Sequence, residues 1–159
     1  YDRIGYDLFK MLTRTRRTFV VIDFNPDIIK RLVAKRIPCI YGDVGDPEIL
    51  ERINLRKTEF VVSTVPTVED NIMIIKRIRH ENPRAIAFVT ATRVEEALKL
   101  YKEGADYVVL PHFLGGEHVS SMIHEMGFDH KQINMTKLAH IHDLKNRMDL
   151  FHEHPHEAH

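Results

Sequence analysis

TFVVIDFNPDIIK, residues 18–30, decides the fold. From Thr18 to Phe24 the residues are β-branched or aromatic apart from Asp23, which is the composition of a strand. Asn25 then offers a capping side chain, and Pro26 suits a first helical turn whose N–H groups have no partner, so a helix begins at once over PDIIKRLVAK. A strand running straight into a helix is half of a β-α-β unit, and the remaining chain repeats it.

Downstream, IPCIYGD (37–43) reads as a strand followed by the short helix PEILERI (47–53). EFVVSTV (59–65) leads into a helix over about 67–81 with Val68, Ile72, Ile75 and Ile78 on one face, stopped by Asn82-Pro83. AIAFVTA (85–91) precedes the helix EEALKLYKEG, closed by Gly104, and DYVVLP (106–111) is the last strand. The strands are continuously apolar, the pattern of a sheet buried on both faces. The expected fold class is therefore α/β: a Rossmann-like, doubly wound parallel sheet with helices on both faces, built by right-handed crossovers. Upstream, YDRIGYDLF opens a helix over 4–14 with Ile4, Leu8, Met11 and Leu12 as its apolar positions. No strand precedes it, so the first strand of the sheet is expected ahead of Tyr1, outside this sequence.

After Pro111 the pattern changes. HFLGG reads as a turn, and EHVSSMIHEMG sets Val119, Met122, Ile123 and Met126 on one helical stripe. A further helix from Met135 carries Leu138, Ile141, Leu144, Met148 and Phe151, and ends in the polar tail HEHPHEAH. These two amphipathic helices are expected to face a partner subunit or domain. The chain thus divides into a sheet domain (1–111), a helix segment (112–127) and a C-terminal helix with a histidine-rich tail (128–159).

Composition narrows the function. The 159 residues are 43% hydrophobic and 29% charged, with Lys+Arg and Asp+Glu equal at 23 each. Such a balance gives no general attraction to nucleic acid or an anionic membrane, and Arg14, Arg16 and Arg17 read as a solvated helix end. The single cysteine, Cys39, allows no internal disulfide, suits a reducing compartment and reads as a buried small hydrophobe. No apolar run reaches the ~20 residues of a membrane span, so membrane association is expected only through a partner or through chain outside this sequence. No CxxC, GxSxG, HExxH or Walker lysine is present. His140 and His142, like His152, His154, His156 and His159, read as surface residues, since i, i+2 spacing on a helix points side chains apart. His112 and His118 flank Gly115-Gly116, where they suit an interface.

The candidate site lies at the strand ends. A helix N-terminus presents free N–H groups and the positive end of its dipole to phosphate, and Gly5 stands where the third glycine of GxGxxG falls. Asp23 follows at about the fingerprint's interval, where a carboxylate either accepts from ribose hydroxyls or merely caps its loop. Asp43 can accept from an adenine amino group while Gly42 turns the chain beside it, and Ser63-Thr64 can bond base or sugar. Taken singly, each is ordinary loop chemistry; their convergence on one edge is the signal. Asp2 stands where the second glycine allows a pyrophosphate to approach, and its charge repels one. Arg3 pairs with phosphate or with Asp2, and a single phosphate is the easier ligand.

In these stretches (YDRIGYDLF, VVIDFNPDII, IPCIYGDVGDPEIL, FVVSTVPTVEDN and GADYVVLPHFLGGEHVS) the chain resembles the TrkA-N or RCK family, the regulatory domains of potassium channels and cation transporters. The last stretch is most similar to the version fused behind Kef-type cation:proton antiporters. The resemblance implies a nucleotide sensor rather than an enzyme. The implied ligand is an adenine nucleotide (AMP foremost, with NAD(H), ADP or ATP as alternatives). A homodimer (with 112–127 as the crossing dimerisation helix that the Val119–Met126 stripe matches), a membrane transport domain as partner and a cytoplasmic location at the inner membrane face are implied with it. It places Arg3 at phosphate, Asp23 at ribose, Asp43 with Val44 at adenine and Asn71 toward the phosphate side; Ile4, Phe24, Gly42, Ser63 and Thr64 complete the expected cofactor-binding set. Arg36 replaces a common glycine, with a capping consequence only. Two other classes remain: a fragment of an NAD-dependent oxidoreductase, for which residues 112–159 leave little room, and a structural dimerisation module with a vestigial site, which Asp2 favours.

Overall fold

Each apolar segment feeds a helix through a short connection, and the helix returns the chain to the same end of the sheet, so successive strands run parallel. The computed structural model describes residues 3–15, 17–127 and 129–150, the side chains of 3, 4, 6, 7 and 146–150 excepted. The order is α1 (Arg3–Arg14), β1 (Val21–Asp23), α2 (Pro26–Ala34), β2 (Cys39–Tyr41), α3 (Pro47–Glu51), a 3-10 turn (Leu55–Lys57) and β3 (Phe60–Ser63). Then follow α4 (Val68–Glu81), β4 (Ile86–Thr90), α5 (Val94–Lys102), β5 (Tyr107–Val109), α6 (Pro111–Met126) and α7 (His130–Leu150). Two compact units result, Tyr1–Leu114 and Gly115–His159.

All strand pairs are parallel. β1 pairs with β2 from Val21↔Cys39 to Asp23↔Tyr41, and β4 lies between β3 and β5. Among the described residues no ladder joins β1 to β3, although Arg17, ahead of β1, pairs with Glu59, ahead of β3, at 3.3 Å. The doubly wound order 3-2-1-4-5-6 sets its first strand between the equivalents of β1 and β3. The break in pairing therefore falls where the sequence expects a strand ahead of Tyr1.

The core lies between the sheet and α4. Val68 and Ile75 of α4 meet Val89 and Val108 of the sheet and Ala97 and Leu100 of α5. Ile74 and Ile78 meet Leu50 of α3, Leu55 and Ala87. A fully buried side chain such as Ile75 contributes about 1.5–3 kcal/mol. The opposite face departs from the expectation of two covered faces: Phe60, Ile86 and Tyr107 are 43%, 45% and 41% exposed. Phe60, Phe88 and Tyr107 form an aromatic row across the three strands, with centroids 4.9 and 5.0 Å apart. Cys39, expected to be buried, is half-buried and free.

Local signals are largely realised. Asn25 accepts from the Asp27 N–H at 2.9 Å with Pro26 behind it, and Asp46 caps α3 by accepting from the Glu48 N–H. Arg36 ends α2 at φ 56°, a left-handed position that favours glycine. HFLGG is not a turn. Helix α6 begins at Pro111 and continues through Gly115 and Gly116, whose surroundings are open. Two glycines cost a helix about 2 kcal/mol relative to alanine, which weakens it without removing any main-chain bond. The second helix starts earlier than expected, at His130, because Asp129 caps it by accepting from the Lys131 N–H at 2.9 Å. Val119 and Ile123 of α6 and Met135, Leu138, Ile141 and Leu144 of α7 are exposed. Phe151 and the histidines of the tail lie outside the described residues. No helix among the described residues is long and apolar enough to cross a membrane.

At the amino edge of the sheet, Arg79 of α4 binds the carbonyls of Gly104, Pro83 and Ala85 and the carboxylate of Asp106. Asp106 also accepts from the Ala87 N–H at 2.6 Å. That main-chain bond, and then the Arg79 guanidinium, hold the Asp106 carboxyl below the ordinary aspartate range. A carboxylate whose pKa is depressed by folding stabilises the fold above its unfolded pKa, and that contribution is lost as pH falls through the folded value. In acid titration followed by circular dichroism, Asp106→Asn should therefore lose less stability than wild type below about pH 4, while being less stable at pH 7.

Candidate functional site

Parallel strands deliver their carboxyl ends to one edge, and of the expected site residues those at or just after the strand ends (Asp23, Phe24, Gly42, Asp43, Val44, Ser63 and Thr64) stand there. Asp23 closes β1 only 7% exposed, and its Oδ1 accepts from the Asn25 N–H at 2.7 Å. Its carbonyl accepts from the Gly42 N–H at 3.1 Å, tying the end of β1 to the turn after β2. Phe24 follows, 70% exposed, and Tyr41, which pairs with Asp23 in the ladder, is exposed as well.

The turn after β2 is held by its own aspartates. Asp43 is exposed and accepts from the Gly45 N–H at 2.9 Å, and its carbonyl accepts from the Asp46 N–H. Val44 is half-buried and packs against the cluster that includes Leu50, Leu55 and Ile74, so its side chain belongs to the core and its main chain to the edge. A Cβ on Gly42 would lie 2.2 Å from Ile49 Cδ1. Gly42 is thus required by the seating of α3 on the turn, a role its sequence position does not announce. Asp70, which the sequence does not single out, comes to the same place: its Oδ1 and that of Asp43 lie 3.1 and 3.3 Å from where a Gly45 Cβ would stand.

Behind β3 lies a buried polar network. Ser63 is buried and its Oγ accepts from the Val65 N–H at 3.4 Å; Thr90 is buried and donates its hydroxyl to the Ser63 carbonyl at 3.0 Å. Thr64, directly after β3, is half-buried where Ser63 is buried, so it is the more accessible member of the Ser63-Thr64 pair. Asn71, expected toward phosphate, is 0% exposed and both hydrogens of its carboxamide are held by main-chain carbonyls, so it touches the loop rather than the surface. Thr90 and Asp70 are the members that the sequence reading missed; a lone threonine at a strand end and an acid in a first helical turn carry no distinguishing signal. Arg3 and Ile4 open α1 and Gly5 is buried; Asp2 lies outside the described residues. Among the described residues no three histidine, cysteine or acidic side chains form a metal site.

The arrangement offers carboxylates, main-chain N–H groups and an exposed aromatic ring along one edge, which is chemistry for holding a ligand. The family model for the TrkA-N domain matches residues 1–111. The chain is 29% identical over 119 residues to "Probable potassium channel protein 2" of Methanocaldococcus jannaschii, a match covering 73% of this chain and 35% of that protein. The chain therefore spans about a third of that relative. Among solved structures, the TrkA-N domain of inner membrane protein ybaL from Escherichia coli superposes with a TM-score of 0.72 at 20% identity, covering 77% of this chain and 91% of that one. The Kef CTD of Shewanella denitrificans, in AMP bound form, superposes with a TM-score of 0.67 at 13% identity, covering 94% and 90%. At these identities the two structures establish the fold.

Gly42→Ala should lower unfolding stability by about 1–3 kcal/mol in urea titration, because the new methyl displaces Ile49 and with it α3. An unchanged midpoint would mean that Ile49 has room to turn aside.

Proposed function

The chain belongs to the TrkA-N domain family, and we propose that it is the nucleotide-sensing regulatory domain of a potassium or other monovalent-cation transport system. The observation that carries this reading is the gathering of Asp23, Asp43 and Thr64 at the carboxyl edge, next to the break in pairing between β1 and β3. The relative named as a potassium channel and the AMP-bound Kef domain of like fold support the direction of the assignment. An adenine nucleotide lies along this edge, with its ribose at Asp23 and Phe24, its adenine at Asp43 and the main chain of Gly42 and Val44, and its phosphate at the start of α1 near Arg3 and Ile4. Thr64 reaches the sugar from β3, with Ser63 setting the loop behind it. Binding rather than bond-breaking is the role. The domain acts at the cytoplasmic face of a membrane through the transport domain to which it is joined or bound.

AMP is the favoured ligand. The charge of Asp2 opposes each added phosphate, and a single phosphate at a helix N-terminus leaves the least uncompensated charge. Calorimetry on the full protein should find AMP binding more tightly than NAD(H), and Asp23→Ala weakening AMP by about 1–3 kcal/mol. Unchanged affinity in the variant removes Asp23 from the ribose, and tighter NAD(H) binding removes the mononucleotide preference.

Regulation requires two arrangements that the ligand distinguishes, worth typically about 1–3 kcal/mol of coupling. A homodimer supplies them. The exposed apolar rows of α6 and α7, and the aromatic face of the β3–β5 sheet, are surfaces suited to a second copy. In sedimentation the wild type should run as a dimer at micromolar concentration, and the Val119→Asp, Ile123→Asp double variant as a monomer. A monomeric wild type ends the dimer reading.

A further inference from the structure

We propose that Asn71 is the positioning residue of the nucleotide edge, clamping the loop 64–67 to the end of β4. This rests on the reading of that edge as a nucleotide site. Asn71 lies in the first turns of α4, entirely buried, and its Nδ2 donates to the Val65 carbonyl at 2.9 Å and to the Thr90 carbonyl at 3.0 Å. Carbonyls only accept, so the orientation of the carboxamide is fixed by its partners. One side chain thus joins three elements: the loop after β3, the last residue of β4 and α4 itself.

The other half of the carboxamide marks the cost. Among the described residues Asn71 Oδ1 is buried without a hydrogen-bond partner. An orphaned buried acceptor is destabilising, and a side chain selected for packing alone would be leucine or isoleucine, as at Ile74, Ile75 and Ile78 of the same helix. What asparagine supplies and those cannot is a pair of donors at a fixed spacing. The loop needs them. Thr67, at the N-cap of α4, makes no side-chain capping bond, and the Ser63 Oγ contact to the Val65 N–H is long at 3.4 Å. With the clamp, the main chain at Thr64 and Val65 stands at one height relative to β4. Without it, the loop's hydrogen bonds among the described residues are the one its Thr67 carbonyl accepts from the Asn71 main-chain N–H at 3.2 Å and that weak bond, so Thr64 and Val65 lose their tie to β4 and a ligand must order them as it binds.

The test uses the full protein with AMP as probe. Asn71→Asp keeps the shape and removes both donors; Asn71→Ser keeps one donor in a smaller side chain. Val89→Ala is the control, a fully buried change in β4 that lowers stability without touching the clamp. Measured well below each unfolding temperature, both Asn71 variants should lose AMP affinity by about ten-fold or more, and amide hydrogen exchange at residues 64–67 should quicken by a similar factor. The control should move either quantity by no more than about two-fold. Asn71 variants that bind AMP as well as the control overturn the proposal. If the wild type binds no AMP, the functional reading fails instead, and loop exchange alone decides the clamp: protection unchanged in Asn71→Ser overturns it.

Discussion

Parallel strand pairing is the constraint on which everything else depends. Two parallel neighbours need a crossover between them, so every strand here ends at the same edge and hands the chain to a loop and a helix start. That edge collects main-chain N–H groups, capping acids and hydroxyls regardless of what the protein does with them. A family built this way gains a ligand site from geometry, and individual residues need only supply preference among ligands.

How the edge is held is less obvious than where it lies. The turn after β2 is packed down by Ile49 into the space a side chain on Gly42 would fill, and stitched by Asp43 to its own main chain. The loop after β3 is fixed from beneath, by Asn71 and Thr90, rather than by a helix cap. At the opposite edge Arg79 and Asp106 gather four main-chain groups, so the strands are pinned at both ends while their middle relies on apolar packing. Polar clamps at the ends and aliphatic contact between them hold the β3–β5 half together.

Apolar surface remains after the sheet unit is built. One face of β3–β5 shows an aromatic row, and α6 contributes no buried residue. Isolated exposed hydrophobes are common on any protein, whereas a grouped apolar face is the kind of surface that the proposed homodimer would cover. A regulatory domain has use for such surfaces, since a ligand can act at a distance only by favouring one packed arrangement over another.

Alternation of apolar runs with capped helices made the α/β class and the parallel sheet legible in the sequence, because strand and helix periodicities and capping residues act locally. Asn25-Pro26, Gly104 and Asn82-Pro83 all mark the boundaries they appear to mark. Asp23 and Asp43 were legible as edge residues for the same reason: strand ends can be counted. Tertiary contact decided the rest. That Gly42 serves Ile49, that Asn71 faces inward, and that Thr90 and Asp70 join the edge depend on residues brought together from distant parts of the chain, for which no local pattern codes. The Gly115-Gly116 stretch shows the same division from the other side. Its composition favours a turn, yet the helical hydrogen bonds that begin at Pro111 carry through it, because propensity weighs a kilocalorie or so per residue while an unbroken main-chain ladder satisfies every group it passes.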